Sequence, residues 1–308
     1  MTDSPTRNSV NTKFPALGPL RSRKRKFGIG HLTAVGVAAL ALTLSACSSE
    51  SESATESASG SMVAELTESG TITIGTKFDQ PGFGFMNPET NEPEGFDVEI
   101  GKIIAANLGI SPANITWVEA VSAQKEQLIE EGAVDLIVAT YTINDQRKEA
   151  VSFAGPYFVA GQDLMVTKGN PLAISGPEDL AGKNVCSAKG STSAQNIQTN
   201  YPQAQLTLFD VYSECTEALK NGEVDAVSTD NTILLGFVSQ EPDAFEVVGK
   251  PFTQEPYGLG VKREDSDFRN FINDALEASY ADGSWVAAWE ATAGNFIETP
   301  PPPAVDRY

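Results

Sequence analysis

Apolar residues alternate along most of the chain between the two-residue period of β-strands and the 3.6-residue period of amphipathic helices. The pattern forms two successive series, one ending at residue 140 and the other starting near residue 184. The first series predicts strand 71–78, helix 95–109, strand 115–120, helix 122–132 and strand 134–140. The second predicts strand 184–190, helix 193–201, strand 204–210, helix 213–222, strand 224–230 and helix 231–240. This alternation predicts an α/β fold with largely parallel sheets, built twice.

The two series share a short repeat before their last strands. In "LIEEGAVDLIVAT" and "LKNGEVDAVSTD", a helix-ending glycine, Gly132 or Gly222, precedes Val-Asp and a strand. Each strand ends five residues after its aspartate, so Thr140 and Asp230 hold equivalent positions. Ligands of open α/β sheets lie at the carboxyl ends of strands. One half should therefore present hydroxyls where the other presents a carboxylate, an arrangement that suits a zwitterion.

The residues after the strand at 134–140 fit the α-carboxylate of an amino acid. A guanidinium and hydroxyls hold a carboxylate well, and Thr140, Thr142 and Arg147 supply these groups. Asp230 would accept from the α-ammonium. The alternative is that Thr142 and Asp230 cap the helices that follow them, with Arg147 in a surface ion pair.

The first 46 residues read as a secretory signal peptide. A basic cluster, "RSRKRKF", precedes a short apolar run and the small residues "SAC" that end at Cys47. The junction "LSAC" resembles a bacterial lipobox, which makes Cys47 the predicted site of lipid attachment. The polar residues 47–61 would form a flexible tether. The alternative is a transmembrane helix that is never cut.

Composition excludes several classes of function. Residues 1–46 hold 7 of the 21 basic and 1 of the 41 acidic residues, so the remainder carries a net charge of −26. Nucleic acid is therefore not an expected partner. The only histidine, His31, lies in the leader, so Ser-His catalysis and His-ligated metals are not expected. No catalytic residue, metal or other cofactor is predicted.

Two cysteines remain after the lipidated one. Cys186 and Cys215 are an even pair in an exported chain, where disulfides persist. A bridge between them is predicted, and two buried free thiols are the alternative.

Three segments resemble the family 3 solute-binding proteins of ABC importers, with the greatest likeness to actinobacterial glutamate-binding lipoproteins. They are "GTKFDQPGFGFMNPETNEPEGFDVEIGKIIA", "VDLIVATYTINDQRKEAVSFAGPYF" and "GKNVCSAKGSTSAQNI". The resemblance implies a two-lobed periplasmic-binding-protein-like fold of type II, with two α/β lobes joined by crossovers near residues 161–167 and 252–260. It implies lobe 1 at 62–162 and 258–294, lobe 2 at 163–257, and a flexible Pro-rich tail at 295–308. Helical residues 267–294 would return to cover lobe 1.

The resemblance also implies roles for individual residues. Thr140, Thr142 and Arg147 would hold the α-carboxylate, and Asp230 would hold the ammonium. Gly190, Ser191 and Thr192 of lobe 2 would add donors across the cleft, assisted by helix N-terminal amides.

Side-chain specificity would come from two lysines. Lys77 and Lys125 lie where acidic-amino-acid binders of the family place cations, Lys125 together with Ser122. With Arg147 and Asp230 they give a local charge of about +2, which favours glutamate over glutamine. The alternative is that both lysines are solvated surface groups. The segment "DQPGFGF" departs from the family pattern, and Phe78, Gln80 and Phe83 are expected near the mouth of the site.

The predicted function is binding and hinge closure without chemistry. A monomeric, lipid-anchored extracytoplasmic protein would capture glutamate and deliver it to an ABC permease complex in the membrane. A binder of glutamine or another polar amino acid is one alternative. An enzyme similar to the cyclohexadienyl dehydratases that share this fold is a second, and a sensor ectodomain is a third.

Overall fold

A computed structural model describes residues 61–308. The predicted signal peptide, Cys47 and nearly all of the predicted tether lie outside these residues. Within residues 61–308, no helix combines the length and the apolar character needed to cross a bilayer.

Helices and strands alternate through the described part of the chain. The helices are α1 (Met62–Ser69), α2 (Phe96–Asn107), α3 (Lys125–Glu130), α4 (Asp145–Lys148), α5 (Thr192–Asn200), α6 (Tyr212–Lys220), α7 (Asn231–Gln240), α8 (Ser266–Asp282) and α9 (Ser284–Ala291). The strands are β1 (Ile72–Thr76), β2 (Asp79–Gln80), β3 (Gly84–Met86), β4 (Pro93–Glu94), β5 (Ile115–Glu119), β6 (Leu136–Ile137), β7 (Val151–Ala160), β8 (Gln162–Thr167), β9 (Asn184–Ala188), β10 (Gln205–Phe209), β11 (Ala226–Asp230), β12 (Phe245–Val247) and β13 (Glu255–Lys262). Short 3₁₀ turns occupy Pro112–Asn114, Ser122–Gln124, Pro177–Leu180 and Ala293–Asn295.

Two five-stranded sheets form the two lobes. Their strand orders are β5-β1-β6-β13-β7 and β10-β9-β11-β8-β12, and β2-β3-β4 form a small third sheet. The predicted α/β fold with two lobes is confirmed. The sheets are mixed, however, because β13 and β8 each run antiparallel to both neighbours. These two strands enter their sheets directly from the other lobe, without the crossover helix that a parallel entry requires.

The lobes are joined at two adjacent places. β7 of the first sheet ends at Ala160 and β8 of the second begins at Gln162, so Gly161 alone makes the first connection. A Cβ on Gly161 would lie 2.8 Å from both Pro251 Cβ and Thr253 O, so the return segment packs directly against it. The ranges expected from the sequence, 161–167 and 252–260, belong mostly to β8 and β13. We propose instead that the connections are Gly161 and residues 248–254.

The Val-Asp repeat has a structural cause. Asp135 Oδ2 accepts from Thr73 N at 2.8 Å, and Asp225 Oδ2 accepts from Asn184 N at 2.8 Å. In both lobes, therefore, this aspartate anchors the neighbouring parallel strand in register. The equivalence places Thr140 after β6 and Asp230 at the end of β11.

The predicted disulfide is present. It joins Cys186 on β9 to Cys215 on α6, with 5.5 Å between the two Cα atoms. The alternative of two free thiols is wrong. The bridge fixes α6 to the strand that leads into the Gly190 loop of lobe 2.

The core of lobe 1 is rich in aromatic residues. Phe158 stacks on Trp289 at 4.8 Å between ring centroids, and Phe83 meets both Phe96 and Trp289 edge to face. Phe83 is therefore a core residue and does not lie at the mouth of the site. Helices α8 and α9 supply Trp285, Trp289 and several aliphatic residues to this core, so they cover lobe 1 as predicted.

The C-terminal segment, predicted to be a flexible tail, packs on lobe 1. Asp306 N donates to Gly155 O at 2.8 Å, and Phe153 N donates to the Tyr308 hydroxyl at 2.8 Å. Both partners lie on β7, the edge strand of the first sheet. Val305 packs against the aromatic core. The Pro-rich composition led to the wrong expectation because the segment satisfies backbone groups that an edge strand leaves open.

Candidate functional site

A narrow, mostly polar cavity lies between the lobes. The carboxyl end of β11 and the loop after β6 both line it. Seven of the nine predicted ligand residues line it, namely Lys125, Thr140, Thr142, Arg147, Ser191, Thr192 and Asp230. The other two, Lys77 and Gly190, lie outside its lining.

Thr140 is held in an unusual backbone conformation. Its φ is +43°, in the left-handed region that a β-branched residue rarely adopts. Thr140 N donates to Asp97 Oδ2 at 2.7 Å, and its hydroxyl donates to Gln80 Oε1 at 2.9 Å. These bonds offset the backbone strain. Strained backbone of this kind is typical of binding sites. The regular part of the predicted strand consequently ends at Ile137.

Asp97 supports Thr140 from the first turn of α2. Its Oδ1 accepts from the Tyr157 hydroxyl at 2.6 Å, so both carboxylate oxygens have partners. Burial raises the pKa of Asp97 to about 6, and the hydrogen bonds from Tyr157 and Thr140 oppose that rise. Asp97 thus orients the loop that carries Thr140.

Arg147 lies on α4, which begins where Asn144 Oδ1 accepts from Arg147 N at 2.8 Å. The guanidinium is 9% exposed and packs 4.8 Å above the Tyr141 ring. Its Nη1 donates to Thr142 O at 2.7 Å and its Nη2 donates to Gly190 O of the other lobe at 3.4 Å. These bonds use two of the five N–H donors, which leaves donors for a ligand carboxylate.

Arg147 also has an acidic neighbour. Glu126 Oε1 lies 3.4 Å from Arg147 Nε and accepts from the Tyr141 hydroxyl at 2.7 Å. The pair is partly buried, because the side chain of Arg147 is 9% exposed and that of Glu126 is 30% exposed. The alternative in which Arg147 is only a surface group is therefore wrong.

The second lobe contributes the N-terminus of α5. Ser191 is its N-cap, and the Ser191 hydroxyl accepts from Ala194 N at 3.0 Å. Thr192 donates to Glu255 Oε2 at 2.9 Å, and its hydroxyl lies 3.5 Å from that of Thr142 in the other lobe. The free backbone N–H groups at the N-terminus of α5 favour the binding of an anion.

Gly190 permits the lobes to meet above the cavity. Its φ is +77°, and a Cβ there would lie 2.6 Å from Ala123 Cα of lobe 1. Together with the bond from Arg147 to Gly190 O, this close contact shows that the lobes are closed over the site.

Asp230 is the acid of the second lobe. It precedes α7 but makes no capping bond with its side chain, so the capping alternative is wrong for Asp230. Oδ2 accepts from the Tyr257 hydroxyl at 2.6 Å, whereas Oδ1 is buried without a partner in residues 61–308. Burial, followed by the nearby Glu255, raises the pKa of Asp230 to about 7, and the Tyr257 hydrogen bond opposes that rise. A buried, unpaired carboxylate oxygen suits a cationic ligand group.

Both predicted specificity lysines are buried. Lys125 Nζ donates to Ala139 O at 2.6 Å and lies 4.7 Å from the centre of the Tyr141 ring. Lys77 Nζ donates to Ser122 Oγ at 3.1 Å, and Ser122 lines the cavity. Burial lowers the pKa of each lysine. The surface alternative is wrong for both, and only Lys125 reaches the cavity directly.

The predicted local surplus of about +2 does not hold. The structure brings additional acids close to the three cations and Asp230, namely Asp79, Asp97, Glu126 and Glu255. The preference for an acidic ligand therefore has to rest on Lys125 and its position at the cavity.

Several contributing residues carried little sequence signal. Asp97 looked like an ordinary acid in a first helical turn, and Tyr257 lies in the returning strand with no motif around it. Gln80 touches the site through Thr140, whereas Phe78 borders a surface groove beside Ser213 and lies outside the cavity lining.

Comparison with known proteins agrees with this geometry. Residues 72–291 match the family described as bacterial extracellular solute-binding proteins, family 3. The chain is 43% identical to glutamate-binding protein GluB of Corynebacterium efficiens, over 75% of this chain and 81% of GluB. It is 38% identical to the ABC transporter glutamine-binding protein GlnH of Bacillus subtilis, over 75% of this chain and 84% of GlnH.

Among solved structures, the solute receptor for L-cysteine of Neisseria gonorrhoeae superposes with a TM-score of 0.72 at 32% identity. The match covers 77% of this chain and 95% of the receptor. The family resemblance predicted from the motifs is confirmed by these matches. The chain belongs to family 3 of the bacterial extracellular solute-binding proteins.

Proposed function

We propose that the protein captures L-glutamate between its two lobes and delivers it to an ABC permease complex. The observation that carries this proposal is the unpaired Oδ1 of Asp230, buried in the same cavity as Arg147 and Lys125. One wall thus offers an acceptor for an ammonium, and the other offers donors for carboxylates.

The α-groups of the ligand would bridge the lobes. Arg147, Thr142 and the α5 amides would hold the α-carboxylate, and Asp230 would accept from the α-ammonium. Because these partners come from both lobes, a bound amino acid stabilises the closed state over the open one. No bond is made or broken in this process.

The side chain would meet Lys125. A carboxylate there would form an ion pair with the Lys125 ammonium, in a charge-assisted hydrogen bond worth about 1.5–3 kcal/mol. The amide of glutamine would accept from the same ammonium but would lack the attraction between opposite charges. The 43% identity to GluB also supports glutamate. Glutamine remains the second candidate, because GlnH is 38% identical and the acids around the site offset its cations.

Calorimetry with the twenty amino acids tests the ligand. We expect glutamate to bind about tenfold or more tightly than glutamine. Lys125→Met should remove that preference, because methionine fills similar space without the charge. Lys102→Met is a matched control, since Lys102 pairs with Glu99 on α2 outside the cavity lining. Equal wild-type affinities, or a preference that survives in Lys125→Met, would reject the role of Lys125.

Attachment to the membrane is a separate part of the proposal. Family membership puts the protein outside the cytoplasm, and "LSAC" supports a lipid on Cys47. Cys47→Ser should release the protein from membranes into the soluble fraction. If the variant stays with the membranes, the lipid hypothesis is wrong.

A further inference from the structure

Asp79 connects the two lobes outside the cavity. It lies on β2 of lobe 1, and its Oδ2 accepts from Tyr212 N at 2.7 Å and from Ser213 N at 3.3 Å. These amides belong to the first turn of α6 in lobe 2. Asp79 does not line the cavity, so a ligand there does not use this carboxylate.

Helix α6 has no cap of its own. The residue before it is Val211, which provides no side-chain hydrogen bond. The first amides of a helix need an acceptor, and Asp is among the best residues for that role. Here the acceptor comes from the opposite lobe, 133 residues earlier in the chain. Opening of the lobes would leave these amides to water.

A second contact lies beside the first. Gly236 is in the middle of α7 of lobe 2, and a Cβ there would lie 2.3 Å from Pro81 O of lobe 1. The φ of Gly236 is outside the left-handed region, so its backbone conformation does not require glycine. Glycine matters here because the missing side chain leaves room for Pro81. The β2 strand and the turn after it therefore rest directly on two helices of lobe 2.

Charge supports the same arrangement. The positive end of the α6 dipole favours a carboxylate at its N-terminus. Asp79 also opposes the lowering of the Lys77 pKa that burial causes, so the two groups attract one another. Asp79 therefore bonds across the lobes through Oδ2 and attracts a cation of its own lobe, whereas its Oδ1 is buried without a hydrogen-bond partner within residues 61–308.

We propose that Asp79, together with the fit of Pro81 against Gly236, is a latch that positions lobe 2 and stabilises the closed state. This rests on the proposed function only in that closure retains the ligand. The latch stabilises the closed state whether or not a ligand is bound, so it raises the fraction of closed molecules. Apparent affinity falls when that fraction falls.

Two variants test the latch by different routes. Asp79→Ala removes the cap, and Gly236→Ala blocks the approach of Pro81 while favouring the helix itself. Fluorophores on exposed residues Glu89 of lobe 1 and Leu172 of lobe 2 would report closure by energy transfer. Asp265→Ala is the control, because Asp265 caps α8 within lobe 1 through Phe268 N.

We expect both variants to close less often without ligand. From the usual effect of losing an N-cap, Asp79→Ala should bind glutamate about 2- to 30-fold more weakly. The loss should appear as faster dissociation with a nearly unchanged association rate constant. Asp265→Ala should lower the melting temperature and leave both closure and affinity unchanged.

The outcomes separate the two proposals. If the wild type closes on glutamate and both variants close and bind as well as it does, the latch is wrong and the function stands. If the wild type does not respond to glutamate but both variants are more open, the latch stands and the proposed ligand is wrong.

Discussion

Asp230 shows how the two oxygens of one buried carboxylate can have different roles. Oδ2 is fixed by the Tyr257 hydroxyl, and Oδ1 is left without a partner in the described part of the chain. A buried acceptor without a hydrogen bond costs about 1–3 kcal/mol. An ammonium group at Oδ1 would remove that cost, so ligand binding relieves an unfavourable feature of the closed, empty protein.

Replacing Asp230 by asparagine tests this role. The amide keeps the shape of the side chain and an acceptor for Tyr257, but it loses the negative charge. Affinity for glutamate should fall about 10- to 150-fold, the equivalent of one charge-assisted bond. Calorimetry of Asp230→Asn measures the change. Asp163→Asn is the control, because Asp163 is also a buried acid of lobe 2 but lies outside the cavity lining. Equal losses in the two variants would contradict a specific role.

The pH dependence of binding follows from the same carboxyl group. The pKa of Asp230 is about 7 in the empty protein, and pairing with an ammonium would lower it because the charged form is favoured. Binding should then release a proton near pH 6–7, and affinity should rise with pH up to about 7. Calorimetry in buffers of different ionisation enthalpy detects that proton. Proton uptake on binding in this range would contradict the assignment.

The empty protein should show the opposite trend in stability. Folding raises the pKa of Asp97 to about 6 and that of Asp230 to about 7. Their contribution to the free energy of unfolding is complete below the unfolded pKa and is lost as pH rises through these values. Urea unfolding of the ligand-free protein between pH 4 and 8 measures this loss, and stability that rises through that window would contradict it.

At the scale of elements, the apolar periodicity predicted the helices and strands whose bounds depend on the local sequence. Helix α7 spans Asn231–Gln240, the range expected from its apolar pattern. The strand expected at 134–140 has only Leu136–Ile137 in regular pairing, because Asp97, 43 residues earlier, fixes Thr140 N in a turn. Contacts between residues so far apart in sequence leave no periodic signal.

The C-terminal segment illustrates the same limit. Its prolines predicted a flexible tail, yet it covers the β7 edge through Asp306 and Tyr308. Tyr308 also contacts α4, since Lys148 Nζ lies 3.9 Å from the centre of its ring. Lys148 is the neighbour of Arg147, so the segment supports the helix that carries the guanidinium.

Deleting residues 299–308 should therefore destabilise lobe 1. Loss of the two hydrogen bonds to β7 should lower the free energy of unfolding by about 1–3 kcal/mol. Urea unfolding of the shortened chain measures this change. Arg307→Ala is the control, because it removes only exposed ion pairs to Asp274 and Glu277 and should have a smaller effect. An unchanged unfolding curve in the shortened chain would show that the segment contributes nothing.

At the scale of the whole molecule, two contacts join the lobes, and only one of them lies where a ligand would bind. The bond from Arg147 to Gly190 O lies at the cavity, where a ligand would strengthen it. The bonds from Asp79 to α6 lie outside the cavity lining and do not involve the ligand. The repeat in the sequence predicted two similar lobes and the position of the cleft between them. It could not predict these contacts, because each joins side chains of one lobe to the backbone of the other.

The most direct measurement is a crystal structure of the protein with L-glutamate. The α-ammonium should lie within hydrogen-bond distance of Asp230 Oδ1, the α-carboxylate against Arg147, and the side-chain carboxylate against Lys125. A ligand bound within one lobe only, or with its ammonium turned away from Asp230, would contradict the proposal that opposite walls of the cavity hold opposite charges of the ligand.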